Sequence, residues 1–328
     1  MKLIMPVILL LLIPAHGVPA AGETPDGQVV EITVAAQLLQ LSGYTQYEMD
    51  LRGMTDTGLA VLGSRLEFPV DVAMAGCRIR FQMTTKGGNV WWLEGSVFAS
   101  LDNPGKVMKD TDWSKRLPNR AIDDFYTESP VEMKSILMTL EGGRRLLQRG
   151  YVNLSAWGGL RYQHIHQDIN GWDGWYLDSN LVRYDWRGTL HGIVYKVTHI
   201  QPHLGLLADI APDGDISLEL RAAYAPVITS DFDDHVLRNK IAESSLIGHG
   251  VLSGVKLRFL LCPSRHRPTL ELTGDYLYLH ASGDQQQTWY GDDPMTPGVD
   301  DTGRKVTGIP HEISSRQASI GVSLGLVF

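Results

Sequence analysis

Two short acidic clusters, far apart in the chain, have the residue types and spacing for chemistry on water. In Asp110-Thr111-Asp112-Trp113 the carboxylates are two positions apart, and in extended backbone such positions share a face. Neighbouring carboxylates repel, so one tends to hold a proton while the other stays ionised, and the pair can position and polarise a water molecule. In Ser230-Asp231-Phe232-Asp233-Asp234-His235, Asp233 and His235 have the same spacing. A carboxylate beside an imidazole fixes its orientation and raises its basicity, which suits general-base activation of water. Taken singly, each motif also fits a plain acidic loop, and Asp110 with Asp112 fits a calcium ligand pair.

These clusters need a scaffold, and the chain's end shows which kind. Leu326, Leu324, Val322 and Ile320 alternate with Gly325, Ser323, Gly321 and Ser319, and the last residue is Phe328. A strand with one apolar face and one small or polar face is the unit of a membrane β-barrel. Ile216, Leu218, Leu220, Ala222 and Tyr224 repeat the pattern against Ser217, Glu219 and Arg221, as do Val255, Leu257 and Phe259 against Lys256 and Arg258. Leu66, Phe68, Val70, Val72 and Met74 form another apolar row. The phase then changes across Ala75-Gly76 to Ile79, Phe81 and Met83, and a β-bulge is the expected cause.

At the other end, Met1-Lys2, an apolar run from Leu3 to Pro14 and the small residues up to Ala21 read as an export signal. Residues 22–328 are then expected to form a single outer-membrane domain: an all-β, antiparallel transmembrane β-barrel of about ten strands. Short turns are expected near 84–89, 141–150, 211–215 and 262–268, and long extracellular connections near 50–63, 102–129, 170–188, 230–245 and 281–311. On that count both acidic clusters sit at the outer mouth. Net charge is −8, which disfavours nucleic acid and suits cationic peptides or proteins as partners. Cys77 and Cys262 are read as isolated thiols, and no metal or cofactor is called for.

With both clusters in this order on an exported β chain, the sequence resembles the omptin family of outer-membrane proteases. The match rests on Gly105-Lys106-Val107-Met108-Lys109-Asp110-Thr111-Asp112-Trp113 and Asp231-Phe232-Asp233-Asp234-His235, with Leu41-Ser42-Gly43, Tyr195-Lys196 and Pro202-His203-Leu204-Gly205-Leu206 in support. The resemblance implies a ten-stranded barrel whose Asp233–His235 dyad activates a water that Asp110 and Asp112 position. It also implies that Asp231 lines a pocket for a basic side chain. The family's second pocket acid falls on Tyr47 by direct counting, with Glu48 one residue on; Glu48 is kept as the expected pocket residue. Lipopolysaccharide is implied as an activator, held on the outer wall by the stretches containing Tyr162, His166, Lys196 and His199. Histidines there in place of arginines make that dependence pH-sensitive. A monomer is expected. The contrasting readings are a non-catalytic barrel acting as an adhesin, surface-binding protein or small pore, and a soluble secreted β protein.

Overall fold

The computed structural model describes residues 22–23, 28–50, 61–103, 105–117, 120–178, 180–211, 214–262, 266–294 and 296–328. The expected signal segment and most of the connection near 50–63 lie outside the described residues. Among the described residues the strands are β1 (Gly22–Glu23), β2 (Val29–Asp50), β3 (Val61–Pro69), β4 (Val72–Thr84), β5 (Val90–Ser100), β6 (Val107–Leu117), β7 (Arg120–Arg149), β8 (Val152–Leu177), β9 (Arg183–Ile210), β10 (Ile216–His235), β11 (Lys240–Leu260), β12 (Pro268–Trp289) and β13 (Lys305–Val327).

Every pairing is antiparallel; besides neighbours in the chain, β2 pairs β4, β3 pairs β6 and β5 pairs β7, and β13 pairs back onto β2 from His311↔Met49 to Val327↔Thr33, closing a ring. β3 and β4 are two halves of one stave, since both lie along β2; β5 and β6 likewise both lie along β7. The ring therefore has ten staves, as the sequence indicated. It is one closed sheet and not two packed sheets, which removes the soluble-sandwich reading. Gly43 marks the junction of β3 and β4. Its φ of 141° suits glycine, and a Cβ there would lie 2.0 Å from the Arg316 carbonyl oxygen. Its own carbonyl accepts the Val70 N–H at 2.9 Å.

The ring has two storeys with opposite polarity. In the storey nearer the short turns the outer face is apolar: Ile79, Phe81, Leu93, Leu140, Leu204, Leu220, Val251 and Ile320 all stand exposed, as a lipid-facing belt requires. The inner face there carries charge: Arg80 lies 3.6 Å from Glu94, Lys256 3.4 Å from Glu219, Arg221 2.8 Å from Asp275, and Arg78 bonds Glu271. In the other storey the inner face is apolar. Leu41, Tyr47, Leu66, Phe68, Val70, Met74, Met108 and Tyr195 are buried in the lumen. Opposite walls touch through it: Phe68 stacks on Tyr195 with centroids 3.8 Å apart, and Gln163 and Gln317 exchange two amide hydrogen bonds of 3.1 Å.

This inversion corrects the expected bulge at Ala75-Gly76. The ladders from β4 to β2 and to β5 run through those residues without a register shift. Leu66 to Met74 point inwards in the apolar-cored storey, while Ile79, Phe81 and Met83 point outwards in the lipid-facing one. The side that is greasy changes; the strand does not slip. The turn between Thr84 and Val90 and that between Ile210 and Ile216 fall where expected, whereas 141–149, expected as a turn, is strand in β7 and the chain reverses at Gly150-Tyr151; the longer connections gather at the opposite rim. Much of their length, however, is strand: β6 and β7 cover most of 102–129, and 230–245 is a tight hairpin. Strands that have left the lipid need no apolar outer face, so the alternation fades while the ladder continues.

Candidate active site

Asp110 and Asp112 sit on β6, held on one side by β3 (Asp110↔Leu66, Asp112↔Ser64) and on the other by β7 (Asp110↔Thr127, Asp112↔Phe125). Asp233 and His235 sit at the end of β10, held by β9 (Asp233↔Tyr195, His235↔Ile193) and β11 (Asp233↔Ala242, His235↔Lys240). β6 belongs to the third stave and β10 is the seventh, so the two clusters come from opposite walls at the same rim. That rim lies seven residues beyond Ile228, the last exposed aliphatic of the belt on β10. The hairpin after His235 is closed by a single 3-10 turn, Val236–Arg238. Asn239 follows with φ of 49°, a left-handed conformation that asparagine tolerates well.

Inward parity along β10 brings Asp231, Asp233 and His235 to one face. Asp233 is fully buried, and its Oδ2 lies 3.0 Å from His235 Nε2, a close ion-pair approach without the alignment of a straight hydrogen bond. Burial holds the imidazole below its usual range; Lys240 and Arg238 reinforce this, and Asp233 opposes it. Across the mouth, Asp110 is held well above the usual carboxylate range by burial, then by the charges of Asp112 and Asp233. Asp112 is also raised by burial, against the pull of the Ser64 hydroxyl, Lys240, Arg238 and His235. The charges of Asp233 and His235 thus reach Asp110 and Asp112 across the gap. The arrangement sets an imidazole with a carboxylate behind it against a facing pair inclined to share a proton.

Four residues at the mouth were not anticipated: Lys240, Arg238, Asp293 and Trp289. Lys240 is the register partner of His235, points inwards, is 4 % exposed and lies 6.0 Å from the Trp289 ring centre. Burial, then Arg238, lowers its ammonium to about 8. Arg238 pairs with Asp293 at 2.7 Å, tying the β10–β11 turn to the segment after β12. Trp289 Nε1 also donates to Asp293, at 3.1 Å. Finding Lys240 in the sequence requires the length of the turn, because one residue more or less would reverse its facing.

The expected pocket residues divide. Asp231 is on the inner wall, 5 % exposed. Glu48 is not: Tyr47 holds the inner position, fully buried, and Glu48 points outwards to Arg65 at 3.3 Å. The β2–β13 ladder runs through both without a shift, so nothing turns Glu48 inwards. The expected outer-wall set also divides. Tyr162, His166 and Lys196 lie on outward parity, with His166 Nε2 3.2 Å from Asp168 Oδ2. His199 is a correction: three residues from Lys196, it falls on the inner face, fully buried and 2.9 Å from the Thr229 hydroxyl. Cys77 and Cys262 are free, as read from the sequence.

No protein-family model matches the sequence, and no curated protein matches it. Among solved structures the chain is similar to the crystal structure of the outer membrane protease OmpT from Escherichia coli. The two are 16% identical with a TM-score of 0.75, and the match covers 91% of this chain and 97% of that one. The translocator domain of the autotransporter NalP from Neisseria meningitidis matches at 11% identity over 89% of this chain and 87% of that one, with a TM-score of 0.31. The first likeness shows the fold: this is an omptin-like barrel.

Proposed function

We propose that this chain is an endopeptidase of the bacterial outer membrane that hydrolyses peptide bonds with an activated water, its mouth facing the cell exterior. The observation that carries the reading is the convergence of Asp233–His235 and Asp110–Asp112 from opposite staves onto one rim, where the charges of the first pair reach the carboxyls of the second. His235 takes a proton from water lying between the clusters, and the hydroxide attacks the carbonyl carbon of the scissile bond. Asp233 stabilises the imidazolium that forms. The proton shared by Asp110 and Asp112 is donated towards the developing oxyanion. His235 then returns its proton to the leaving amine, and no acyl-enzyme is formed. This is aspartic-type chemistry assisted by an imidazole, and no cofactor is required by it.

Cationic peptides or proteins are the proposed substrates, drawn by the acidic mouth, with Asp231 the acid available to a basic side chain. Lipopolysaccharide is the proposed activator, held by the outward row of Tyr162, His166 and Lys196. The working unit is a monomer. An open pore is disfavoured by the contacts that cross the lumen, Phe68 to Tyr195 and Gln163 to Gln317.

The test is refolding in detergent with added lipopolysaccharide and a fluorogenic peptide that contains arginine. Wild type should cleave it, while His235→Ala and Asp112→Ala should lose activity by about 10²–10⁴-fold. An inert wild type, or full activity in both variants, would sink the proposal.

A further inference from the structure

Asp231, the pocket acid, is already in company. Its Oδ1 accepts a hydrogen bond from the Ser244 hydroxyl, and its Oδ2 lies 3.5 Å from Nε2 of His311 on β13. Both side chains are fully shielded from solvent. The other ring nitrogen of His311, Nδ1, lies 3.0 Å from the backbone carbonyl oxygen of Glu48. A carbonyl oxygen only accepts, so Nδ1 carries a proton and the tautomer is fixed. Nε2 then has two states. With a second proton it presents N–H⁺ to Asp231; without one it presents a lone pair to a carboxylate, which repels.

Among the described residues no other cation is ion-paired with Asp231. The Tyr47 ring packs against His311 at 4.2 Å, and Tyr195 meets Tyr47 edge-on at 6.3 Å. Gln285 on β12 donates to the Tyr47 hydroxyl. The groups facing His311 are thus Asp231 and, two residues on, Asp233 from β10, Tyr47 from β2, Tyr195 from β9 and the neutral Gln285 from β12. Glu48 gives only its carbonyl, its carboxylate being turned outwards to Arg65.

We propose that His311 is a specificity-determining residue of this mouth: a resident partner for Asp231 that a basic substrate side chain has to displace, setting the pH at which arginine or lysine is accepted. The inference rests on the peptidase reading for its biological meaning. Protonated His311 satisfies Asp231 from within and makes an incoming guanidinium redundant. Neutral His311 leaves Asp231 in want of a cation, and the guanidinium supplies it.

The experiment reads binding first. A fluorescein-labelled peptide with a single arginine and its citrulline twin, neutral and of the same shape, are titrated by anisotropy onto the refolded His235→Ala barrel, where turnover is blocked. The preference for arginine over citrulline, compared at pH 5.5 and 8, should be greater at the higher pH, as expected for competition with one proton. Adding His311→Gln, whose amide can still donate to the Glu48 carbonyl, should hold the preference at its high-pH level throughout. Adding Asp231→Asn should abolish it at both pH values. A preference independent of pH, a pH dependence that survives His311→Gln, or failure of both peptides to bind would overturn the inference. The same peptides are then offered to the intact barrel. Binding with the expected pattern but no cleavage would remove the peptidase reading and leave His311 standing, while cleavage with a flat preference would do the reverse.

Discussion

His235 and Lys240 face each other across the last register pair of the β10–β11 hairpin, so the imidazole and a buried ammonium share one wall of the mouth. The ammonium is lowered to about 8, chiefly by burial. It is therefore charged at neutral pH and loses its charge just above. Its positive field favours the ionised forms of Asp112 and Asp233 and the developing oxyanion. The rate of peptide cleavage should fall as pH rises past about 8. Lys240→Gln should lower the rate at pH 7 by roughly tenfold, the factor given by about 1.4 kcal/mol of lost charge stabilisation, and should flatten the alkaline limb. A pH–rate profile in which the limb is unchanged in Lys240→Gln would assign it to another group.

On the proposed mechanism Asp233 and His235 act as a unit, and so do Asp110 and Asp112. Single substitutions within one pair should each cost about 10²–10⁴-fold in kcat, and a double substitution within that pair should cost little more. Full additivity in a Asp233→Ala, His235→Ala cycle would contradict a dyad.

Burial and the neighbouring charges of Asp112 and Asp233 raise the Asp110 carboxyl in the folded barrel. Its contribution to stability is then complete at low pH and is lost as pH rises through the raised folded value, so at pH 7 the crowded carboxyls of the cluster oppose folding. Asp110→Asn should raise the unfolding temperature at pH 7 and give no gain near pH 3, while abolishing cleavage. Heat-dependent gel mobility at the two pH values reads this directly, and a lower unfolding temperature at pH 7 would refute it.

Glu48 stands on the outer wall in an exposed pair with Arg65. Glu48→Gln should leave kcat/KM for an arginine peptide within about twofold and stability within about 1 kcal/mol, the usual ceiling for exposed pairs. Asp231→Asn, on the inner wall, should raise KM instead. A large loss of activity in Glu48→Gln would return it to the pocket.

Lipid activation should separate by facing. Lys196→Ala and His166→Ala should weaken stimulation by lipopolysaccharide. His199→Ala should spare the lipid response and lower stability, since it empties a buried position bonded to Thr229. Equal lipid effects from all three would mean that facing does not govern the interaction.

The membrane barrel and the two acidic motifs were legible because both follow a period of two. Alternation from Ile320 to Leu326 located the lipid-facing wall, and Asp-x-Asp with Asp-x-His located two inward rows. What escaped was absolute facing. Glu48 and His199 were each displaced by an odd number of residues from a position on the correct face, and an odd step is invisible in composition but decisive in a strand. Leu66 to Met74 read as one apolar row beside Ile79 to Met83, yet one row fills the lumen and the other meets lipid. Strand length beyond the belt was also hidden, because polar side chains suit both faces of a strand surrounded by water. Lys240 came into view only with the turn geometry that sets it opposite His235, and Asp293 only with its pairing to Arg238 of that turn.

The two acidic clusters stand on the third and seventh of ten staves, so the gap between them is a chord of a closed circle. Its width is set by circumference and strand tilt before any side chain is chosen. Insertion or deletion of one hairpin would change that chord while leaving Asp110, Asp112, Asp233 and His235 untouched in their own ladders. The proposed cleavage would thereby depend on the stave count as much as on the residues that line the gap.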